Sequence, residues 1–334
     1  MGKEMRAVLA DQLLEMMHHN PDIVVLDADL AKANGTLKLR DTYPERAFDV
    51  GIAEQNMASI AAGLASYRFV PFIGSFTPFA TRRICDQIAI SICYAKQNVK
   101  IIGSDPGITA ELNGGTHMSV EDIGVLRSIP GILIFEPVDA VQLAQALPQI
   151  VEYPGPVYIR LFRKETPQIF DPETYRFQLT SADVLSEGED VTLLASGIMV
   201  EESLKAAELL AEEELHAEVV NVHTIKPLDA ETILRSAKKT GAVVTCENHN
   251  VVGGLASSVA ELLSQMAPMP LECIGIQDHF GEVAKADYLK RKYHMTAQDI
   301  VHAAKKAMER PANKSQVEIS DFLGRQKGNT KSSR

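Results

Sequence analysis

The chain has 334 residues, of which 46% are hydrophobic, and its formal net charge is −11. This length suits two globular domains, and the acidic balance argues against nucleic acid as a partner because phosphate binding requires basic surface. No apolar run reaches the 18 residues of a membrane span, so we expect no membrane partner.

In the first half of the chain, short β-branched segments alternate with helical stretches. Strands are predicted at 23–26, 70–74, 99–103, 131–135 and 157–160, helices at 54–67, 82–95 and 140–151, and a Gly-rich loop at 107–115. Such alternation is typical of a mainly parallel sheet with helices on both faces, since each parallel connection needs a crossover. We therefore predict an α/β domain over residues 1–170.

A second α/β unit follows a break that contains proline. Residues 171–189 have little periodicity and are interpreted as a linker. Beyond them, strands are predicted at 191–195, 217–222, 242–246 and 271–276, and helices at 200–213, 256–266 and 297–308. We predict a second, mainly parallel α/β domain over residues 190–310. Residues 311–334 gain charge and lose hydrophobic periodicity, which predicts a flexible tail.

The N-terminus and the cysteines indicate the compartment. Residues 1–10 lack the apolar core of a signal peptide. The four cysteines are widely spaced, with no Cys-x-x-Cys pair, at Cys85, Cys93, Cys246 and Cys273. We therefore expect a cytoplasmic protein with reduced thiols, and neither a disulfide nor a metal site.

Polar side chains gather where the strands of the first predicted domain end. They are Asp27, Asp29, residues 49–54, residues 75–79, Asp105, residues 111–117 and residues 160–163. Ligands of open α/β sheets bind at the carboxyl ends of the strands. The pattern alone therefore predicts a binding edge, without naming the ligand.

Several segments of the chain resemble one enzyme family. They are Asp49-Val50-Gly51-Ile52-Ala53-Glu54-Gln55, Gly114-Gly115-Thr116-His117, Lys226-Pro227-Leu228-Asp229 and Thr245-Cys246-Glu247-Asn248-His249. In order and spacing, from about Met5 to Ala307, the chain is similar to the pyrimidine-binding and C-terminal domains of transketolase. Its length resembles that of the C-terminal subunit of a split, two-gene transketolase.

The resemblance implies thiamine diphosphate as the coenzyme. Glu54 would hydrogen-bond N1′ of the aminopyrimidine and so promote the tautomer that activates the thiazolium, since the protein tunes a chemistry that the coenzyme supplies. Phe76 and Phe79 would form an aromatic wall against the ring. Asp29 and Ile52 would contact the coenzyme region. The alternative role of Glu54 is a helix N-terminal carboxylate stabilised by the helix dipole.

The resemblance also implies residues for the sugar. His117 would contact the substrate near its reacting carbons and assist proton transfers. Arg163 would bind the anionic end of the sugar through two parallel hydrogen bonds. Asn113 and Asp105 would lie on the same side. A structural ion pair is the alternative role of Arg163, and an ordinary surface position is that of His117.

Some positions depart from the family pattern on the sugar side. The family has an acidic residue at Asn113, a histidine at Ser104-Asp105, a phosphate-binding serine at Ala33 and an aromatic residue at Arg82. We therefore expect coenzyme activation to be retained and sugar specificity to be atypical, with Arg82, Arg83 and Lys32 as possible replacements for lost phosphate contacts.

One required motif of such enzymes is missing. No Gly-Asp-Gly segment, which holds Mg²⁺ (or Ca²⁺) and the diphosphate in the family, occurs in the 334 residues. The resemblance thus implies an N-terminal transketolase subunit as partner, in an α2β2 assembly in which this chain also self-associates. The assembly would transfer a two-carbon ketol unit from a ketose phosphate, or a similar anionic ketose, to an aldose phosphate.

Three other interpretations stay open. The segment around Glu54 also resembles deoxyxylulose-phosphate synthase, which carries its coenzyme-anchoring domain in the same chain. The β subunit of a 2-oxoacid dehydrogenase E1 component is of similar size, but its Tyr-Met-Ser-Gly-Gly-type segment does not follow residues 82–95. A catalytically silent scaffold subunit would fit the altered sugar-side residues, whereas the intact Glu54 argues against it.

Overall fold

The computed structural model describes residues 3–310, which form two β-sheets with helices packed on them. The strands are β1 (Ile23–Asp27), β2 (Ala47–Asp49), β3 (Val70–Phe76), β4 (Lys100–Ser104), β5 (Leu133–Phe135), β6 (Val157–Leu161), β7 (Asp183–Ser186), β8 (Val191–Ala195), β9 (Ala217–Asn221), β10 (Thr224–Lys226), β11 (Val243–Asn250) and β12 (Leu271–Ile276). The predicted tail, 311–334, lies outside the described residues.

Twelve α-helices connect and cover these strands in the described part of the chain. They are α1 (Met5–His19), α2 (Ala31–Asn34), α3 (Leu37–Thr42), α4 (Glu54–Ser66), α5 (Thr77–Ala80), α6 (Asp122–Arg127), α7 (Ala140–Glu152), α8 (Met199–Ala211), α9 (Ala230–Thr240), α10 (Leu255–Met266), α11 (Ala286–Lys292) and α12 (Ala297–Glu309). Within residues 3–310, none of the helices combines the length and apolarity needed to cross a bilayer.

The first sheet has seven strands in the order β10-β5-β6-β4-β3-β1-β2, and the second has five in the order β12-β11-β8-β9-β7. Every pairing is parallel except β10 with β5 and β7 with β9, which are edge pairings. The predicted fold class, two mainly parallel α/β units, is thus confirmed. Central strands such as β4, β6 and β8 are buried along their whole length, because helices cover both faces.

The segment predicted as one helix over 82–95 has a different structure. It begins as a 3₁₀-helix, Arg82–Ile84, and continues as a π-helix, Gln87–Tyr94. Ile84, Ile88 and Ile92 are all fully buried and recur at every fourth position. These three positions share one face of the helix, which packs into the core.

Three strands were not predicted, and each lies at the edge of a sheet: β2, β7 and β10. β7 lies inside the predicted linker, 171–189, and its four residues are all half-buried, which leaves no alternation to detect. β10 comes from the second half of the chain but pairs with β5 of the first sheet. This pairing joins residues about 90 positions apart and ties the two halves together.

A fully buried arginine strengthens the contact between the halves. Arg160 Nε lies 2.7 Å from Asp122 Oδ2, and Arg160 Nη1 lies 2.5 Å from Glu136 Oε1. Its Nη2 donates to the backbone oxygen of Asn248 at 2.6 Å. Arg160 therefore points toward the second sheet and has a structural role, although only two residues separate it from Arg163.

Candidate active site

The loop before α4 carries the first part of the site. Asp49, at the end of β2, accepts hydrogen bonds from the backbone nitrogens of Gly51 and Asp29 at 2.9 and 3.0 Å. Arg40 Nη1 donates to its second oxygen at 3.0 Å. Partial burial alone would raise the pKa of Asp49, but these hydrogen bonds hold it below its usual value. The loop thus delivers Glu54 to the first turn of α4.

Glu54 is a buried carboxylate with one charged neighbour among the described residues. Its side chain is 5% exposed, and its Oε1 accepts from Arg83 Nη1 at 2.7 Å. The Arg83 guanidinium also lies over the ring of Phe79, with Cζ 3.7 Å from the ring centroid. Arg83 itself is 42% exposed. Glu54 and Phe79 therefore face a shared space that a planar, hydrogen-bonding group occupies.

His117 packs against both aromatic residues of the predicted wall. Its ring centroid lies 5.4 Å from that of Phe76 and 5.1 Å from that of Phe79, both with edge-to-face geometry. Thr116 Oγ1 lies 2.9 Å from His117 Nδ1. The imidazole is half-buried, so one side faces the aromatic pair and the rest can reach a ligand.

Two arginines meet beside the same aromatic pair. Arg163 Nε donates to Asp105 Oδ2 at 2.6 Å, and its Cζ lies 4.9 Å from the Phe76 ring centroid. Arg163 Nη1 and Arg6 Nη1 each lie 3.3 Å from the carbonyl oxygen of Ala33. The two guanidinium groups therefore converge on α2, and each also pairs with a carboxylate, Arg163 with Asp105 and Arg6 with Glu4.

Other predicted residues lie at the margin of this cluster. Asp29 is exposed and adopts a left-handed φ of 58°. Ile52 is 75% exposed, although it is a large apolar side chain. Asn113 is exposed at the end of the 3₁₀-helix Gly107–Asn113, which forms part of the predicted Gly-rich loop. Lys32 is exposed. Within residues 3–310, the side chains of these four residues form no hydrogen bond or ion pair with Glu54 or His117.

The two arginines offered as replacement phosphate ligands are already paired. Arg82 Nη1 lies 2.6 Å from Glu121 Oε1, and Arg83 binds Glu54. Arg6 was not predicted at all, because no helix was predicted over α1. The apolar residues Met5, Leu9, Leu13 and Met17 recur every four positions and are buried, so the helical period was a usable signal.

A buried acid supports the strand end next to the site. Thr36 Oγ1 donates to Asp27 Oδ2 at 2.6 Å, and Asn34 Nδ2 donates to Asp27 Oδ1 at 3.2 Å. Burial raises the pKa of Asp27 to about 6, against the lowering effect of these two hydrogen bonds. Asp27 therefore holds the end of α2, the helix that carries Ala33.

The cluster fits one end of thiamine diphosphate. A buried carboxylate, an adjacent aromatic ring and the exposed apolar Ile52 are the groups that an aminopyrimidine ring needs for hydrogen bonding and burial. The other end of the coenzyme needs a divalent cation. Residues 3–310 contain no group of three His, Cys, Asp or Glu side chains placed to hold a metal.

Comparison with known families covers almost the whole chain. Residues 2–168 match the transketolase pyrimidine-binding domain, and residues 180–300 match the transketolase C-terminal domain. The chain is 54% identical over 306 residues to the 6-deoxy-6-sulfo-D-fructose transketolase subunit SqwH of Clostridium sp. strain MSTE9, which covers 92% of this chain and 95% of that protein.

Two further matches extend this comparison. A solved structure described as a split gene transketolase, inactive beta4 tetramer, has a TM-score of 0.85 and 43% identity, and covers 92% of this chain and 99% of that chain. The 1-deoxy-D-xylulose-5-phosphate synthase of Desulforudis audaxviator is 34% identical over 300 residues, which cover 89% of this chain and 47% of that protein.

Proposed function

This chain belongs to the transketolase family, and we propose that it is the coenzyme-activating subunit of a two-chain transketolase that uses thiamine diphosphate. The observation that carries the proposal is the buried Glu54 carboxylate beside Phe79, with Arg83 in the space between them. A relative that shares 54% identity over 95% of its own length is named as a transketolase subunit, which supports a protein of this size acting as one part of an enzyme.

When bound, thiamine diphosphate supplies a centre that stabilises the carbanion formed as the donor sugar is cleaved. Glu54 would hold a proton between its carboxylate and N1′ of the aminopyrimidine, after Arg83 has moved aside. Phe79 and Phe76 would bury the ring and exclude water. His117, packed on both rings, would orient the hydroxyl groups of the sugar and exchange protons with them.

The two arginines at one end of the site support a donor with a terminal anion. Arg163 and Arg6 converge on the Ala33 carbonyl, next to Phe76 and His117. A guanidinium binds phosphate and sulfonate through the same parallel hydrogen bonds. The relative named for 6-deoxy-6-sulfo-D-fructose makes a sulfonated ketose a donor to test beside ketose phosphates of the pentose phosphate type. Asp105 would orient Arg163, and Asn113 would border the sugar.

The rest of the enzyme would come from a partner. We propose that an N-terminal transketolase subunit supplies Mg²⁺ and the diphosphate contacts, and that two copies of each chain form an α2β2 heterotetramer in the cytoplasm. Asp29 and Ile52, exposed here, would be covered when the coenzyme and partner bind. We also propose a pyrimidine-binding domain at residues 1–170, a linker at 171–189 and a C-terminal domain at 190–310. The limits of the two family matches support it.

A reconstitution assay tests this function. The chain and its partner are mixed with Mg²⁺ and thiamine diphosphate, and cleavage of fructose 6-phosphate, xylulose 5-phosphate and 6-deoxy-6-sulfofructose is followed with an aldose phosphate acceptor. The proposal expects ketol transfer from at least one donor, and only when both chains are present. Turnover of pyruvate instead would favour a synthase or dehydrogenase-type activity, and coenzyme binding without any turnover would favour a scaffold subunit.

A further inference from the structure

Residues 107–119 form a closed loop that carries His117. The backbone nitrogen of Gly107 donates to the oxygen of Ser119 at 2.8 Å, so the two ends of the loop meet at its base. His117 lies near the second end, where it packs on Phe76 and Phe79. Residues from the second half of the chain contact both the base and the tip of this loop.

The base of the loop is fastened to β11. Asn248 Nδ2 donates to the oxygen of Pro106 at 2.9 Å, and Asn248 Oδ1 accepts from the nitrogen of Ile108 at 2.9 Å. Asn250 N donates to the oxygen of Val120 at 2.8 Å. A Cβ on Gly107, whose φ is +53°, would lie 2.2 Å from Asn248 Oδ1. Only glycine fits this close, left-handed approach.

The tip of the loop is held by residues 281–286. A Cβ on Gly114 would lie 2.6 Å from Val283 Cγ2, and one on Gly115 would lie 2.5 Å from the oxygen of Gly281. A Cβ on Gly281 would lie 1.9 Å from the sulfur of the buried Met118, the residue next to His117. Residues 281–283 therefore pack on the segment 114–118 that carries His117.

Glu111 lies between the base and the tip of the loop and makes side-chain contacts with both halves of the chain. Its φ is 47° and its ψ is −116°, a conformation that is strained for a residue with a Cβ. Its Oε1 accepts from the nitrogen of Ala286 at 3.2 Å, at the start of α11, and its Oε2 pairs with Lys164. The carboxylate thus ties the loop to both halves of the chain and offsets the strain in its own backbone.

We propose that the C-terminal half of the chain sets the position of His117, and that Glu111 is a positioning residue that acts through this histidine. The proposal rests on the proposed function, since it assumes that His117 meets the substrate. The physical reason is geometric: a displacement of about 1 Å in a reacting constellation can lower a rate by about a hundredfold.

Matched variants of Glu111 test the proposal in the reconstituted two-chain enzyme. Glu111→Gln keeps the acceptor for Ala286 and loses the ion pair with Lys164, whereas Glu111→Ala loses both. We expect Glu111→Ala to lower kcat about tenfold or more, and Glu111→Gln to stay within about threefold of wild type, with the coenzyme Kd unchanged in both. Gly281→Ala, which meets Met118 without touching Glu111, should lower kcat in the same way. Thermal unfolding of each variant shows that it is folded.

A double-mutant cycle separates positioning from general damage. In a His117→Ala background, Glu111→Ala and Gly281→Ala should cause no further loss of kcat, because the group they position is gone. Full additional losses in that background would overturn the proposal, as would equal rates for Glu111→Ala and wild type. A wild-type assembly that transfers no ketol unit would instead contradict the proposed function.

Discussion

Arg83 and Glu54 form an ion pair in the space where the proposed function places the aminopyrimidine ring. Arg83 Nη1 lies 2.7 Å from Glu54 Oε1, while the same guanidinium lies 3.7 Å over the Phe79 ring. A guanidinium is planar, donates hydrogen bonds and stacks on aromatic rings. In the isolated chain it therefore makes both contacts that the coenzyme ring would make.

Replacing Arg83 should lower the stability of the isolated chain. Arg83→Met leaves the buried Glu54 carboxylate without its partner, so the free energy of unfolding at pH 7 should fall by about 1 kcal/mol, a small value because Arg83 is half exposed. Chemical denaturation checks this, and the loss should disappear in a Glu54→Gln background.

The same Arg83→Met variant should bind the coenzyme more tightly, because the guanidinium no longer occupies the space beside Glu54. In the two-chain assembly the coenzyme Kd should fall several-fold. Arg82→Met, which breaks the nearby pair with Glu121, is the control and should leave the Kd unchanged.

Arg163 should determine affinity for the anionic end of the donor. Arg163→Lys keeps the charge beside the buried Asp105 but loses the forked geometry, so KM for an anionic ketose should rise about tenfold, equivalent to about 1.4 kcal/mol. KM for an uncharged ketose such as erythrulose should change little. Steady-state kinetics with both donors check the prediction, and an equal rise for the two would mean that Arg163 serves only as a structural partner of Asp105.

Asp27 should make the stability of the chain depend on pH. Burial raises its pKa from 3.8 to about 6, so the folded state binds this proton more tightly than the unfolded state. The stabilisation is complete below about pH 4 and is lost as the pH rises through 6, by about 2 to 3 kcal/mol. Asp27→Asn, compared with wild type by urea denaturation from pH 4 to 7, should remove this part of the dependence. Parallel curves for the two proteins would contradict the assignment.

The fold was predictable where burial is continuous along the chain. The apolar runs of β3, β6 and β8 identify buried parallel strands without any knowledge of their neighbours. The placement of β10 was not predictable, since its partner β5 lies about 90 residues earlier in the chain. With only three residues, β10 is also too short to show the alternation of polar and apolar side chains that is typical of a strand. The π-helix Gln87–Tyr94 was not predictable either, because apolar residues four positions apart fit an α-helix equally well.

The sequence could predict which residues gather at one edge of the sheet, but not the contacts they make with each other. Glu54, Phe76, His117 and Arg163 follow strand ends, so a shared sheet edge could be expected, and the structure brings the last three into contact through Phe76. Two features could not be expected: the pairing of Arg83 with Glu54, and the strained backbone of Glu111. Each depends on the local backbone conformation, which has no recognisable sequence pattern here.

The measurement that tests the central claim most directly is the ketol-transfer rate of the Glu54→Gln assembly. Glutamine keeps the size of the side chain and cannot hold the shared proton, so kcat should fall on the order of a thousandfold or more, about 4 kcal/mol of transition-state stabilisation. Glu45→Gln, an exposed carboxylate outside the site, should leave the rate unchanged. A Glu54→Gln assembly as active as wild type would contradict the assignment of this chain as the coenzyme-activating subunit.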